Sequence, residues 1–466
     1  MVFNSLPFLI FYLLVTSLYF ILEHKYRWGL LLAASCYFYI AFVPIYILIL
    51  GFTILIDYFA GIYLEKTTAP KKRKRLLVIS LIANIGVLAV FKYYNFFALN
   101  INVIGNGGWL GYLKILLPIG LSFHTFQAMS YTIEVYRGNQ KAEKHFGIYA
   151  LYVMFYPQLV AGPIERPQNI LHQFYEKHPF NFEDLKAGLM QMATGMFKKV
   201  VIADRLAIAV DGAYLHPQTQ SGGSLLIATL LYGFQIYCDF SGYSDIGIGA
   251  ARTMGFRLMD NFRSPYFSRS VSEFWSRWHI SLSTWFRDYL YIPLGGNRVA
   301  VPHWYLNLLI VFVVSGFWHG ANWTFIIWGA LHGIFLVSHI IINKVLQRAG
   351  HSFKPNAIKH IFQVLFTYLL VSLAWVFFRS ASTTDAFYII KSFFTINRTD
   401  AFALALNSAE MWFAIGLIVL LCAKEWFYLT VPTKNTLSFI VLFIAIGFCC
   451  YFFGVFNNKQ FIYFQF

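Results

Sequence analysis

The sequence predicts an all-α polytopic membrane protein, and three observations carry that reading. Apolar runs recur from end to end, each within the roughly 17 to 25 residues that a helix needs to cross a bilayer. Of the 466 residues, 58% are hydrophobic and only 12% are charged, about half the charge of a soluble domain. The runs are continuous, whereas a β-barrel shows short strands of alternating polarity.

Residues 6–22 form the first apolar run. No positive stretch precedes it and no small-residue cleavage site follows, while Glu23, His24, Lys25 and Arg27 come after it. It therefore reads as a retained helix with its N-terminus outside rather than as a signal peptide. A second span covers about 28–43, Pro44 breaks it, and a third covers 45–64. Counting crossings puts the run Lys71-Lys72-Arg73-Lys74-Arg75 in the cytoplasm, as the positive-inside rule asks. Further spans fall at about 76–98, 111–133 and 146–161, with the Gly-rich link Gly105 to Gly111 outside.

Residues 187–213 and 224–250 carry Lys198, Lys199, Asp204, Arg205, Asp211, Asp239 and Asp245. That is more charge than lipid-facing helices tolerate, so these pieces are expected to be tilted, broken or re-entrant and packed inside protein. Residues 252–298 hold seven arginines (252, 257, 263, 269, 277, 287 and 298) against Asp260, Glu273 and Asp288. Within them Trp275, Trp278, Leu282, Trp285 and Tyr289 recur at three- and four-residue steps, one amphipathic face. The segment belongs at the cytoplasmic interface. Spans at about 305–319, 323–342, 358–378, 410–430 and 436–456 complete the chain, and residues 1–466 read as a single membrane domain.

The net charge of +16 sits largely in loops between apolar runs. In a membrane protein this implies attraction to anionic lipid or to an anionic cytosolic substrate. Nucleic-acid binding is a poor second reading, because no soluble basic domain is visible to house it. Aromatics make up 20% of residues, enough for interfacial belts and for the walls of internal tunnels. The five cysteines lie in apolar surroundings without metal-site or disulfide spacing and read as small apolar fillers. No metal or bound cofactor is expected.

The chemistry centres on Gly316-Phe317-Trp318-His319-Gly320, a titratable imidazole between two apolar runs. Such a group faces a cavity or a partner rather than lipid, and histidine is suited to moving protons in acyl transfer. The plainer reading is a histidine hydrogen-bonded between helices, with Gly316 and Gly320 letting the backbones approach. His279 reads either as part of an interfacial anchor or as a second cavity histidine. The arginines around it, Arg277 and Arg287 among them, either simply obey topology at a cytoplasmic face or suit phosphate groups through bidentate contacts, coenzyme A being the commonest acyl donor with phosphates. Asp239 and Asp245 are helix caps, partners for arginines or the lining of a polar funnel. The tail Phe461-Ile462-Tyr463-Phe464-Gln465-Phe466 is either an aromatic anchor or a segment that presents the Tyr463 hydroxyl to a cavity. The chain has no G-x-S-x-G elbow, H-E-x-x-H motif, P-loop or Rossmann glycine pattern, which argues against a serine enzyme, a metalloprotease and an ATP-driven pump.

Taken together, five stretches and the tail resemble the membrane-bound O-acyltransferase superfamily, in particular the bacterial branch that acetylates alginate and peptidoglycan. They are Leu117-Pro-Ile-Gly-Leu-Ser-Phe-His-Thr-Phe-Gln127, Gly162-Pro-Ile-Glu-Arg-Pro167, Asp239-Phe-Ser-Gly-Tyr-Ser-Asp-Ile246, the block Phe274 to Gly296, and Gly316 to Gly320. The resemblance runs over nearly the whole chain, and departs at His124, where a plain aromatic residue is expected. It implies about eleven transmembrane or re-entrant helices around a central tunnel, with His319 as the catalytic histidine midway and His279 as its recurrent companion. Tyr463 then corresponds to an acyl-accepting tail built into the same chain. The expected activity is transfer of acetyl from acetyl-CoA at the cytoplasmic face to an extracytoplasmic polysaccharide through a serine esterase-like partner. The expected location is a bacterial plasma membrane. Substrate contacts are expected from Arg277, Arg287, Asp239, Asn322 and Trp318. Two rival expectations are D-alanyl or other acyl transfer to teichoic acid or exopolysaccharide, and a non-enzymatic transporter of an acyl carrier.

Overall fold

A computed structural model describes residues 1–115, 117–160, 162–349, 356–396, 404–427, 435–456 and 462. Among these the regular structure is helical, with no strand. Among the described residues seven helices are long and apolar enough to cross a membrane: Tyr46–Lys66, Pro70–Ile104, Gly222–Thr253, Val301–His319, Trp323–Arg348, Ala357–Arg379 and Thr436–Phe453. Leu6–Ile21 is apolar but shorter. The chain divides into two compact units, one of residues 1–195, 243–259 and 433–443, the other of 196–242, 260–432 and 444–466.

In the first unit a polar knot ties three helices together. Asp57 of Tyr46–Lys66 is fully buried and accepts hydrogen bonds from Ser80 Oγ, from Asn84 Nδ2 at 2.8 Å and from Thr132 Oγ1 at 3.2 Å. An intramembrane carboxylate is tolerated where such donors replace water. Two expected spans are shorter here than the apolar runs that predict them. The helix expected from about 111 begins at Leu121, because Pro118 and the left-handed Gly120 (φ 75°) intervene. The run 146–161 divides into Phe146–Met154 and Tyr156–Leu159, with Pro157 inside the second piece.

The second unit carries His279, His319 and Asp239. The charged stretch 187–213 becomes Phe182–Met196, a π-helical turn Phe197–Ala203, and Asp204–Leu215. The π turn holds Lys199, whose ammonium lies 2.8 Å from Asp204 and 2.5 Å from Asp239. The helix Gly222–Thr253 runs unbroken for 32 residues, and 78% of its most apolar stretch is buried. That burial is what its carboxylates require. By contrast only 6% of the corresponding stretch of Thr436–Phe453 is buried, as befits an apolar helix with a lipid-facing surface.

Val301–His319 and Trp323–Arg348 form a tight helical hairpin. A Cβ on Gly316 would lie 2.2 Å from the Phe325 carbonyl oxygen, and one on Gly329 would lie 2.2 Å from that of Phe312. Glycine is therefore required on both helices for this approach. Asn322 starts the second helix by accepting the Thr324 N–H at 3.1 Å, the usual device for a helix N-terminus.

Candidate active site

The amphipathic segment folds as two short helices, Val271–Arg277 and Ile280–Phe286, instead of one. Ser270 caps the first by accepting the Glu273 N–H at 3.1 Å, and the Glu273 carboxylate reaches back to the Arg269 N–H at 2.8 Å. Glu273 also receives Arg277 Nη2 at 2.6 Å. Trp278 ends this helix, and His279 turns the chain through a left-handed conformation at φ 44°. A non-glycine residue there costs about 1–3 kcal/mol and marks a conformation the surroundings impose. Asn261 imposes it: its carbonyl oxygen accepts the Ile280 N–H at 3.0 Å, and its side-chain oxygen accepts Ser281 Oγ at 2.9 Å.

The same Asn261 oxygen lies 3.1 Å from His279 Nδ1. Since that oxygen also accepts the Ser281 N–H, it is an acceptor only, and His279 must donate from Nδ1. The lone pair of the neutral ring is then on Nε2. Burial holds the imidazole far below its ordinary value, at about 3, so the ring is neutral throughout the physiological range.

His279 packs edge-on to Phe240 at 4.6 Å between ring centroids and to Trp318 at 6.4 Å. His319 is the last residue of Val301–His319 and is 4% exposed. Its ring meets Trp318 at 4.8 Å, Trp328 at 5.0 Å and Phe378 at 5.4 Å. The two histidines, 40 residues apart in sequence, thus share the Trp318 ring as a common wall. A third histidine, His332, continues the cluster. Trp328 stands 5.0 Å from it, and Trp275 donates its indole N–H to His332 Nδ1 at 3.2 Å.

The other expected contact residues are spread around this centre. Arg287 lines a cavity of about 160 Å³ with Ser283, Ser315 and the apolar walls Trp275, Phe286 and Phe312. Its Nε donates to the Asp288 carboxylate at 2.8 Å. Arg277 is held on Glu273. Asn322 is used in capping and in a 3.4 Å contact to the Ala381 carbonyl. Asp239 is 3% exposed and receives Lys199 and the N–H of Ile462. Tyr463 lies outside the described residues, as does the rest of the tail apart from Ile462. Among the described residues no cluster of three or more His, Cys, Asp or Glu side chains is arranged to hold a metal ion.

Sequence reasoning missed Asn261, His332 and the pairing of Lys199 with Asp239. A signal existed for His332, since it is an ionisable residue within an apolar span. Nothing in the sequence marks Asn261, which stands 18 residues before the histidine it orients.

Over residues 144–382 the chain matches the membrane-bound O-acyltransferase family. It is 39% identical over 401 residues to a probable alginate O-acetylase AlgI of Pseudomonas aeruginosa, covering 85% of this chain and 75% of that protein. To a peptidoglycan O-acetyltransferase of Helicobacter pylori it is 35% identical over 485 residues, covering 96% and 89%. A teichoic acid D-alanyltransferase of Streptococcus thermophilus is 30% identical over 299 residues, covering 58% of this chain and 69% of that protein. The chain belongs to the membrane-bound O-acyltransferase family. It is an acyltransferase and a multipass membrane protein.

Proposed function

We propose that this protein is an O-acetyltransferase of a bacterial plasma membrane, with its N-terminus on the extracytoplasmic side. It takes acetyl from acetyl-CoA at the cytoplasmic face and passes it, by way of Tyr463, to an extracytoplasmic serine esterase-like transferase. That partner then decorates a cell-envelope polysaccharide such as peptidoglycan or alginate. The observation that carries the reading is the shared site of His279 and His319, two imidazoles against one tryptophan ring. The alginate and peptidoglycan O-acetyltransferases among its relatives support the choice of acyl group.

His319 acts as general base. It takes the phenolic proton of Tyr463 as the oxygen attacks the thioester carbonyl. The C–S bond breaks, the thiolate of coenzyme A takes the proton back from the imidazolium, and an aryl acetate remains on Tyr463. An aryl ester keeps acyl-transfer potential, so the serine of the partner can attack it and regenerate the phenol. Burial keeps the His279 imidazole neutral and Asn261 fixes its tautomer. The ring serves as a fixed neutral group beside Trp318. Arg287, which lines the cavity, suits a phosphate of the donor.

Homology to a teichoic acid D-alanyltransferase favours a second reading, D-alanyl transfer. Purified protein offered acetyl-CoA and a D-alanyl thioester separately discriminates between them. Turnover of acetyl-CoA alone is expected, and turnover of the D-alanyl donor alone would replace the acetyl reading. The relay is tested by Tyr463→Phe, which removes one hydroxyl. Polysaccharide acetylation in cells is expected to fall to background, and normal acetylation would exclude Tyr463 as the acceptor.

A further inference from the structure

Lys199, Asp204 and Asp239 form a buried cluster of one ammonium and two carboxylates, each less than a tenth exposed. One carboxylate would balance Lys199. The second, Asp239, gives one oxygen to Lys199 at 2.5 Å and keeps the other for the backbone N–H of Ile462 at 2.9 Å. Ile462 is itself 5% exposed. The chain leading to it is fastened to the same region. Arg205 Nη2 donates to the Phe453 carbonyl at 2.8 Å, and the Val455 N–H donates to the Val200 carbonyl at 2.8 Å. Main-chain groups of Phe453, Val455 and Ile462 are thus held by Arg205, Val200 and Asp239.

The position of this anchor is informative. Phe240, next to Asp239 on the helix, is the ring that packs edge-on to His279. Tyr463 is the residue next to Ile462 in sequence. We propose that Asp239, oriented by Lys199, is a positioning residue that docks the C-terminal segment at Ile462 and so delivers the Tyr463 hydroxyl to the histidine site. The second half of this statement rests on Tyr463 being the acceptor; the docking at Ile462 does not. The substrate contact expected of Asp239 becomes contact with the acceptor segment of the chain itself. The bond is charge-assisted and buried, so its loss is expected to weaken docking roughly ten- to hundredfold.

The test uses the full-length protein in lipid nanodiscs. Hydrogen exchange of the C-terminal peptide, read by mass spectrometry, reports on the Ile462 amide. Exchange is expected to quicken at least about tenfold in Asp239→Ala, a change that leaves Lys199 paired with Asp204. Asp239→Asn, which keeps an acceptor oxygen, is expected to restore part of the protection. Ile462→Pro removes the donor and leaves the buried cluster intact. That variant is expected to keep its melting temperature, its KM for acetyl-CoA and its slow hydrolysis of the donor, while label on Tyr463 from isotope-labelled acetyl-CoA falls tenfold or more. Equal exchange in wild type and Asp239→Ala overturns the docking, as does full labelling in Ile462→Pro. Protection that depends on Asp239, with no label on Tyr463 even in wild type, supports the docking and removes the relay.

Discussion

His279 and His332 carry their single proton on opposite ring nitrogens. Asn261 accepts from Nδ1 of the first, and Trp275 donates to Nδ1 of the second. Each assignment comes from a partner that can play only one role. For His279 the consequence extends to stability. Its folded value of about 3 lies below the ordinary 6.5, so between those limits the unfolded chain binds the extra proton. Stability from this residue is therefore complete above about pH 6.5 and is lost as pH falls toward 3. Melting curves of His279→Asn should be flatter than those of wild type between pH 4 and 7. Asn261→Leu should release the Nδ1 proton and the turn at His279 together. Transfer is expected to fall at least about tenfold and the fold to lose about 1–3 kcal/mol, measurable as initial rate and thermal midpoint.

At the scale of elements, the hairpin Val301–His319 and Trp323–Arg348 sets where His319 stands. Gly316→Ala puts a methyl against the Phe325 carbonyl, and backbone cannot move aside as a flexible side chain does. The helices must spread, at about 1–3 kcal/mol, and His319 shifts against Trp318 and Trp328. A lower melting temperature with a disproportionate loss of transfer is expected, and an unchanged enzyme would show that the close approach is not needed. Gly316 was legible in the sequence, whereas its counterpart Gly329 was not, and Gly320, the other glycine expected to let the backbones approach, faces the Phe325 ring instead. Most of the predicted buried face was legible too, since Trp275, Trp278, Leu282 and Trp285 are buried and Tyr289 is half-buried. The break at His279 was not. Side-chain periodicity runs straight through it, and the left-handed turn is fixed by Asn261, a partner that the spacing of apolar residues does not reveal.

For the whole molecule, fold class was readable because a bilayer constrains run length, charge and backbone satisfaction together, and the family because five motif stretches and the tail resemble it. The pairing of His279 with His319 around Trp318 was readable only as two isolated motifs, because the wall between them is a tertiary contact. The Lys199–Asp239–Ile462 link was less accessible still, joining residues more than 200 apart. The central claim is that His319 drives acetyl from acetyl-CoA onto Tyr463. The most direct measurement incubates purified protein in lipid with isotope-labelled acetyl-CoA and compares the C-terminal peptide of wild type and His319→Ala by mass spectrometry. A general base contributes roughly 100- to 10,000-fold, so label on Tyr463 is predicted in wild type and reduced by at least that lower factor in an equally well inserted variant. Equal labelling of the two, or none in a wild-type protein that still consumes the donor, would contradict the account.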